Sequence, residues 1–183
     1  MFELLFPFFL IVLFFLVLAI IWRNNARKYI SSGTVASAYD AWTQDKLLER
    51  LWGEHIHLGF YPSGKKNIDF RKAKVQFVHE LVKWSGLDKL PKGSRILDVG
   101  CGIGGSSRIL AEYYGFNVTG ITISPAQVKR ARELTPHGLN CNFQVMDALD
   151  LKFEDGSFDA VWSVEAGAHM NDKTRFADEM LRT

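Results

Sequence analysis

The segment Arg95-Ile96-Leu97-Asp98-Val99-Gly100-Cys101-Gly102-Ile103-Gly104-Gly105 constrains this chain more than any other. Its apolar start reads as a short buried strand, and the glycines after it make a tight loop. Ser106-Ser107-Arg108-Ile109-Leu110-Ala111 then opens a helix. A strand, a glycine loop and a helix N-terminus make a cradle for an anionic group, because free backbone N–H groups and the positive end of the helix dipole converge there. Glycines in that position weaken the chain unless something needs the close approach they permit.

Gly100, Gly102 and Gly105 also satisfy the G-x-G-x-x-G spacing of dinucleotide sites. That reading expects an acidic residue about 20 positions further on, at the end of the second strand. The strand Asn117-Val118-Thr119-Gly120-Ile121 ends instead at Thr122, with no carboxylate nearby. Asp98, two residues before the first glycine, separates the ligands. A pyrophosphate is repelled by a carboxylate there, whereas an ammonium group is attracted. S-adenosylmethionine carries both an ammonium and a carboxylate, so it fits this loop better than NAD.

From the glycine loop onward, strands alternate with helices, which implies a parallel sheet covered on both faces. Ser124-Pro125-Ala126-Gln127 reads as an N-cap, a first-turn proline and a capping-box glutamine, with the helix continuing to about Leu134. A third strand is expected over Asn142 to Met146, a fourth over Phe158 to Ser163, and a last helix from near Asp172. Upstream, one helix is expected from about Val35 to Leu51. A second, from about Asp69 to Trp84, should present Phe70, Ala73, Phe77, Val78, Leu81 and Trp84 on one face and stop at Gly86. Pro62-Ser63-Gly64-Lys65-Lys66 reads as a loop. The fourth strand should lie inside the sheet, so its edge would be open at the end of the sequence. A longer parent chain is therefore expected.

At the other end, residues Leu4 to Trp22 are apolar without interruption, and sixteen of those nineteen are Leu, Ile, Phe or Val. A helix of that length matches the ~30 Å hydrocarbon core, and its insertion is favourable by roughly 5–10 kcal/mol. Arg23, Arg27 and Lys28 follow it and only Glu3 precedes it, so the remainder should stay on the cytoplasmic or stromal-equivalent side. A cleaved signal peptide would need a basic n-region and a small-x-small site, and neither is present.

The chain carries 22 basic and 20 acidic residues, with no basic stripe interleaved with aromatics, so no nucleic-acid partner is expected. Cys101 and Cys141 lack metal-ligand spacing and read as reduced thiols. His55 and His57 alternate along an extended segment and point the same way, but two histidines without a third ligand make no metal site. Oligomeric state is not legible.

Leu97-Asp98-Val99-Gly100-Cys101-Gly102, Gly120-Ile121-Thr122-Ile123-Ser124, Met146-Asp147-Ala148 and Trp162-Ser163-Val164-Glu165-Ala166-Gly167-Ala168-His169-Met170 resemble the successive motifs of class I S-adenosylmethionine-dependent methyltransferases. Ser37-Ala38-Tyr39-Asp40, the block Trp52-Gly53-Glu54-His55-Ile56-His57-Leu58-Gly59 and His169-Met170-Asn171-Asp172-Lys173 narrow the resemblance to the tocopherol-biosynthesis C-methyltransferases. That family includes the membrane-anchored 2-methyl-6-phytyl-1,4-benzoquinone and γ-tocopherol enzymes. The resemblance covers nearly the whole chain.

It implies an α/β fold with a Rossmann-like sheet, here incomplete with four parallel strands, preceded by a transmembrane helix. The implied organisation is an anchor over 1–23, a linker over 24–36, a helical lid and substrate region over 37–92, and a truncated S-adenosylmethionine-binding domain over 93–183. Asp98 and the loop residues Gly100, Cys101, Gly102, Gly104 and Gly105 are implied to hold the methionine end of the cofactor. Thr122 stands where most class I enzymes carry a ribose-binding carboxylate, with Ser124 and Gln127 assisting. Asp147 and Ala148 are implied at the adenine, and the 52–61 segment at a lid.

Glu165 and His169 follow the fourth strand, where ligands of open α/β sheets bind. A quinol ring needs a phenol proton removed or shared, work suited to an imidazole. His169 is the candidate base, with Glu165 beside it. The implied partners are a membrane and a lipid-like prenyl-quinol. The alternatives are another methyl acceptor, such as γ-tocopherol, a sterol or an amine, and a non-catalytic anchored fragment.

Overall fold

The computed structural model describes residues 12–18, 20, 32–63 and 67–183. It divides into two compact units, Met1–Ile30 and Ser31–Thr183. In the first, residues 12–18 and 20 are helical. Most of the expected membrane anchor and linker, and residues 64–66 of the expected loop, lie outside the described residues. Among those described, no helix is long and apolar enough to cross a membrane.

The second unit opens with two helices, α1 (Ser32–Gln44) and α2 (Leu47–Trp52), where one continuous helix was expected. The break lies at Asp45 and Lys46. The Asp45 side chain accepts from Leu47 N–H, and Lys46 takes a left-handed conformation with φ 54°. A short acceptor beside the backbone competes with the helical ladder, which is why aspartate ends helices as readily as it starts them.

Helix α3 (Phe70–Ser85) has its expected ends. Asp69 caps the N–H groups of Arg71 and Lys72, and Gly86 closes the other end at φ 76°. Its buried face differs from expectation. Ala73, Lys74, Val78 and Val82 are buried, whereas Phe70 is 41% and Trp84 85% exposed. Two rings cannot enter a seam that small residues already fill by close approach.

Strands β1 (Arg95–Val99), β2 (Asn117–Thr122), β3 (Cys141–Val145) and β4 (Ala160–Trp162) form one parallel sheet in the order β3-β2-β1-β4. β4 has three residues where six were expected, and it lies at one end of these four strands. Helix α4 (Gly105–Tyr114) follows β1, α5 (Pro125–Leu134) follows β2, and α6 (Lys173–Arg182) comes last.

Alternation along β1 sorts the core. Ile96 joins Val78 and Val82 of α3 and Ile109 and Leu110 of α4, with Phe116, Val118 and Trp162. Leu97 and Val99 join Ile121, Ala148, Leu151 and Phe176 of α6. Cys101, Phe143, Val128 and Ala131 seal α5 against β3. Both faces of the sheet are therefore covered, and the C-terminal ends of the strands are left to loops.

Candidate functional site

Strand order reverses beside β1, between the run β1-β2-β3 and β4. In open parallel sheets that switch point opens a crevice at the carboxyl ends of the strands. The glycine loop, Thr122, Asp147 and the Glu165–His169 segment all follow strand ends there.

Asp98 is the next-to-last residue of β1 and is 2% exposed. It pairs in register with Gly120 on one side and Trp162 on the other. Its Oδ2 accepts from Ser107 Oγ at 2.6 Å, so the first turn of α4 supplies a donor. Burial pushes the carboxyl up to about 6, against the opposing pull of that hydrogen bond. A buried carboxylate with so little compensation favours a cationic neighbour.

The loop is built by exclusion. Gly100 and Cys101 N–H both donate to Ile121 O, at 2.9 and 3.0 Å, which fixes the turn over β2. A Cβ on Gly100 would lie 2.4 Å from Ala166 Cβ, and one on Gly104 2.6 Å from the Phe143 ring. Gly102 differs. At φ +56° it would carry its Cβ into open space, with nothing within 4 Å. The loop therefore packs tightly on its own surroundings and stays open at Gly102. The Cys101 side chain turns inward, buried with Phe143, and burial raises its thiol well above the ordinary range. Cys101 thus lends the loop its backbone, and its thiol does not face the crevice.

Thr122, Ser124 and Gln127 are buried together at the end of β2. Thr122 Oγ1 donates to Gln127 Oε1 at 2.7 Å and accepts from Ser124 N–H at 3.3 Å. Ser124 Oγ accepts from Gln127 N–H, but the Gln127 side chain goes to Thr122 rather than back to the Ser124 backbone. Only half of the expected capping box forms. Ser124 Oγ also donates to Asp40 Oδ1 at 2.5 Å, which brings α1 onto the head of α5. Asp147 Oδ1 accepts from Leu149 N–H in a local turn, and Ala148 is buried beside it.

The N-terminal helices and the segment after them meet the ends of β1 and β4. Glu165, at φ 58°, accepts from Leu58 N–H at 3.0 Å. Tyr39 Oη lies 2.9 Å from His169 Nε2, and burial raises the phenol above its usual range. His57 donates Nδ1–H to Leu58 O, which leaves Nε2 to accept from His55 Nδ1 at 3.1 Å. Burial holds His55 down to about 3, with further repulsion from His57, Arg108 and Lys74. The His55 ring closes on the start of α4, where a Cβ on Gly105 would meet it at 2.8 Å. Glu54 pairs with the nearly buried Arg108 of α4.

Asp98, the loop, Thr122, Ser124, Gln127, Asp147 and Ala148 thus lie at or just beyond the C-terminal ends of β1, β2 and β3, and Glu165 and His169 face the N-terminal segment. Sequence reasoning gave no role to Tyr39, Asp40, Ser107 or Glu54. Ser107 was within reach, as a serine one helical turn into a loop that follows a buried aspartate. The others act across 54 to 130 residues of sequence and leave no local spacing to read.

A parallel sheet with this order and a glycine loop after β1 is a Rossmann-like architecture, which class I methyltransferases share with dinucleotide-binding domains. Residues 96–183 match the family model described as a methyltransferase domain. It is 59% identical over 179 residues to 2-methyl-6-phytyl-1,4-hydroquinone methyltransferase of Synechocystis, covering 98% of this chain and 56% of that protein. Over 146 residues it is 43% identical to the chloroplastic tocopherol O-methyltransferase of Arabidopsis thaliana, covering 74% of this chain and 42% of the relative. Among solved structures, the [4+2]-cyclase SpnF superposes with a TM-score of 0.72 at 30% identity, over 83% of this chain and 56% of that one. The chain spans about half the length of the curated relatives it matches.

Proposed function

We propose that this chain belongs to an S-adenosylmethionine-dependent enzyme that methylates a ring carbon of a prenylated benzoquinol of the 2-methyl-6-phytyl type. The observation that carries the reading is the 59% identity over 98% of the chain to a 2-methyl-6-phytyl-1,4-hydroquinone methyltransferase. The fold does not choose the reaction, since a [4+2]-cyclase shares it. The site residues fit the cofactor. Asp98 offers a buried carboxylate to an ammonium group, and Gly102 leaves open space above the loop.

When bound, S-adenosylmethionine supplies an electrophilic methyl group. The work of the chain is to align the acceptor, exclude water and take up a proton. Asp98 and the loop of Gly100, Cys101, Gly102, Gly104 and Gly105 hold the methionine end. Thr122, Ser124 and Gln127 would line the ribose, and Asp147 with Ala148 would line the adenine. The segment of residues 52–61 covers the crevice, with Glu165 fixing Leu58. His169 takes the proton that the quinol loses. In the tautomer that carries its proton on Nε2 and donates it to Tyr39 Oη, the imidazole would keep Nδ1 as the base.

The apolar run Leu4 to Trp22 and the basic residues after it support an N-terminal membrane anchor that keeps the catalytic unit on the cytoplasmic or stromal-equivalent side. A prenyl tail held in the bilayer would present its quinol head to such a unit. The tocopherol O-methyltransferase likeness supports γ-tocopherol as a second acceptor.

The test is transfer of a labelled methyl group to 2-methyl-6-phytyl-1,4-benzoquinol and to γ-tocopherol in detergent. It uses this chain and a version extended to the length of its relatives. Transfer to the first acceptor, in preference to the second, is expected from the extended version. No transfer by either version to either acceptor overturns the reading.

A further inference from the structure

The crevice has an unanswered need if it binds S-adenosylmethionine, the reading on which this inference rests. A vicinal ribose diol presents two hydroxyl donors and is best held by a carboxylate at the end of β2. Thr122 occupies that place, and its hydroxyl is already committed to Gln127 Oε1. Its oxygen also accepts Ser124 N–H, so Thr122 keeps at most one lone pair for the two hydroxyl donors of the diol.

A carboxylate does reach this point, from another element. Asp40 of α1 accepts from Ser124 Oγ and from Ala126 N–H at 3.1 Å, both through Oδ1. Among the described residues no group donates to its Oδ2. The head of α5 thus holds one oxygen of Asp40, through Ser124, which follows Thr122 by two residues in the sequence. The position is rigidly supported. Glu49 of α2 forms a two-pronged pair with Arg130 of α5, at 2.6 and 2.8 Å, and pins the same pair of helices to α5. Turning the Asp40 side chain away breaks two hydrogen bonds, and the Glu49–Arg130 pair separately keeps α2 on α5.

We propose that Asp40 is the ribose-binding carboxylate of this site, supplied by the N-terminal helix in place of the strand end. The cofactor then completes the contact between α1 and the sheet, since one carboxylate bridges Ser124, Ala126 and the diol. The N-terminal helix becomes part of the cofactor site rather than a cover for the acceptor alone.

The experiment is calorimetric titration of the full chain in detergent with S-adenosylhomocysteine and with its 2′,3′-dideoxy analogue. Asp40→Asn keeps an oxygen to accept from Ser124 and Ala126, so α5 stays capped. For S-adenosylhomocysteine its affinity should fall about 10- to 100-fold, the loss of a charge-assisted hydrogen bond. For the dideoxy analogue it should change less than about threefold, within the scatter of such comparisons. Ser124→Ala removes one tether but keeps the carboxylate, and gives a smaller loss confined to the ligand with the diol. Equal losses for both ligands in either variant, or no loss in Asp40→Asn, overturn the assignment. Wild-type protein that binds neither ligand overturns the cofactor reading, and this assignment with it.

Discussion

Ser107 Oγ donates to Asp98 Oδ2 at 2.6 Å, and Ser107 is completely buried. One hydroxyl is modest support for a carboxylate inside a sheet, and it joins the last turn of β1 to the first turn of α4. The site is therefore under strain at its centre before any ligand arrives, a common trade between stability and function.

The sign of that strain can be measured. Asp98 is raised to about 6, above its unfolded value near 4, so the folded protein binds the extra proton between those values. Its contribution to stability is full below pH 4 and is lost as pH rises through 6, a difference of about 3 kcal/mol. Asp98→Asn keeps an acceptor for Ser107 and removes the charge. Its melting temperature, relative to wild type, should rise from pH 4 to pH 7 and then level off. The difference between the two proteins isolates Asp98, because His55, held down to about 3, has the opposite slope over the same range. A flat difference across that range would refute the account.

An ammonium ligand reverses the preference. It binds the ionised carboxylate, so the affinity of wild-type protein for S-adenosylmethionine should fall about tenfold per pH unit below pH 6. Asp98→Asn should bind weakly and without that dependence. Titrations at pH 5, 6 and 7 check both. A wild-type affinity that does not change with pH would argue against Asp98 as the ammonium partner.

Two glycines of the loop should respond differently. Gly100→Ala combines a left-handed backbone with a 2.4 Å approach to Ala166, and should cost about 2–5 kcal/mol. Gly102→Ala meets no neighbour and should cost only the backbone term, about 1–2 kcal/mol. Its larger effect should be on ligand affinity, because the methyl group enters the one open side of the loop. Chemical denaturation of both variants, paired with titration of Gly102→Ala, separates packing from binding.

The strand–loop–helix unit, the parallel sheet, the helix starts near Asp69 and Asp172 and the Ser124 cap were legible because each depends on a few adjacent residues. What was not legible depends on distant partners. Helix α1 broke early because Asp45 captured Leu47 N–H, and Gln127 left its capping role because Thr122 lay nearer. The sequence placed Cys101 in the loop without showing where its thiol goes, which is beside Phe143. Period alone placed Trp84 in the core, whereas the buried seam of α3 is made by Ala73, Lys74, Val78 and Val82.

That last difference has a direct consequence for stability. Val82→Ala removes two methyl groups from a completely buried position and should cost about 2 kcal/mol. Trp84→Gln, two residues on, should stay within about 0.5 kcal/mol of wild type. Urea denaturation of the two variants decides it. A large loss in Trp84→Gln would restore the face that the sequence period suggested.

The contact between Tyr39 and His169 makes the final case, because it crosses from α1 to the loop after β4. Burial keeps the phenol protonated, so Tyr39 orients the imidazole rather than taking its proton. If His169 is the base, Tyr39→Phe lets the ring turn without removing it. Turnover should then fall about 10²-fold or more, at the lower end of what a placed acid or base contributes. S-adenosylmethionine affinity should change little, since neither residue lies in the glycine loop. His169→Gln should lose at least as much turnover. The double variant should be no worse than His169→Gln, because residues that act as a unit are lost together. Turnover and ligand affinity measured on the same preparations test this. A double variant whose losses multiply would mean that Tyr39 acts independently of His169. A parallel loss of affinity would move both residues from the chemistry to the lid.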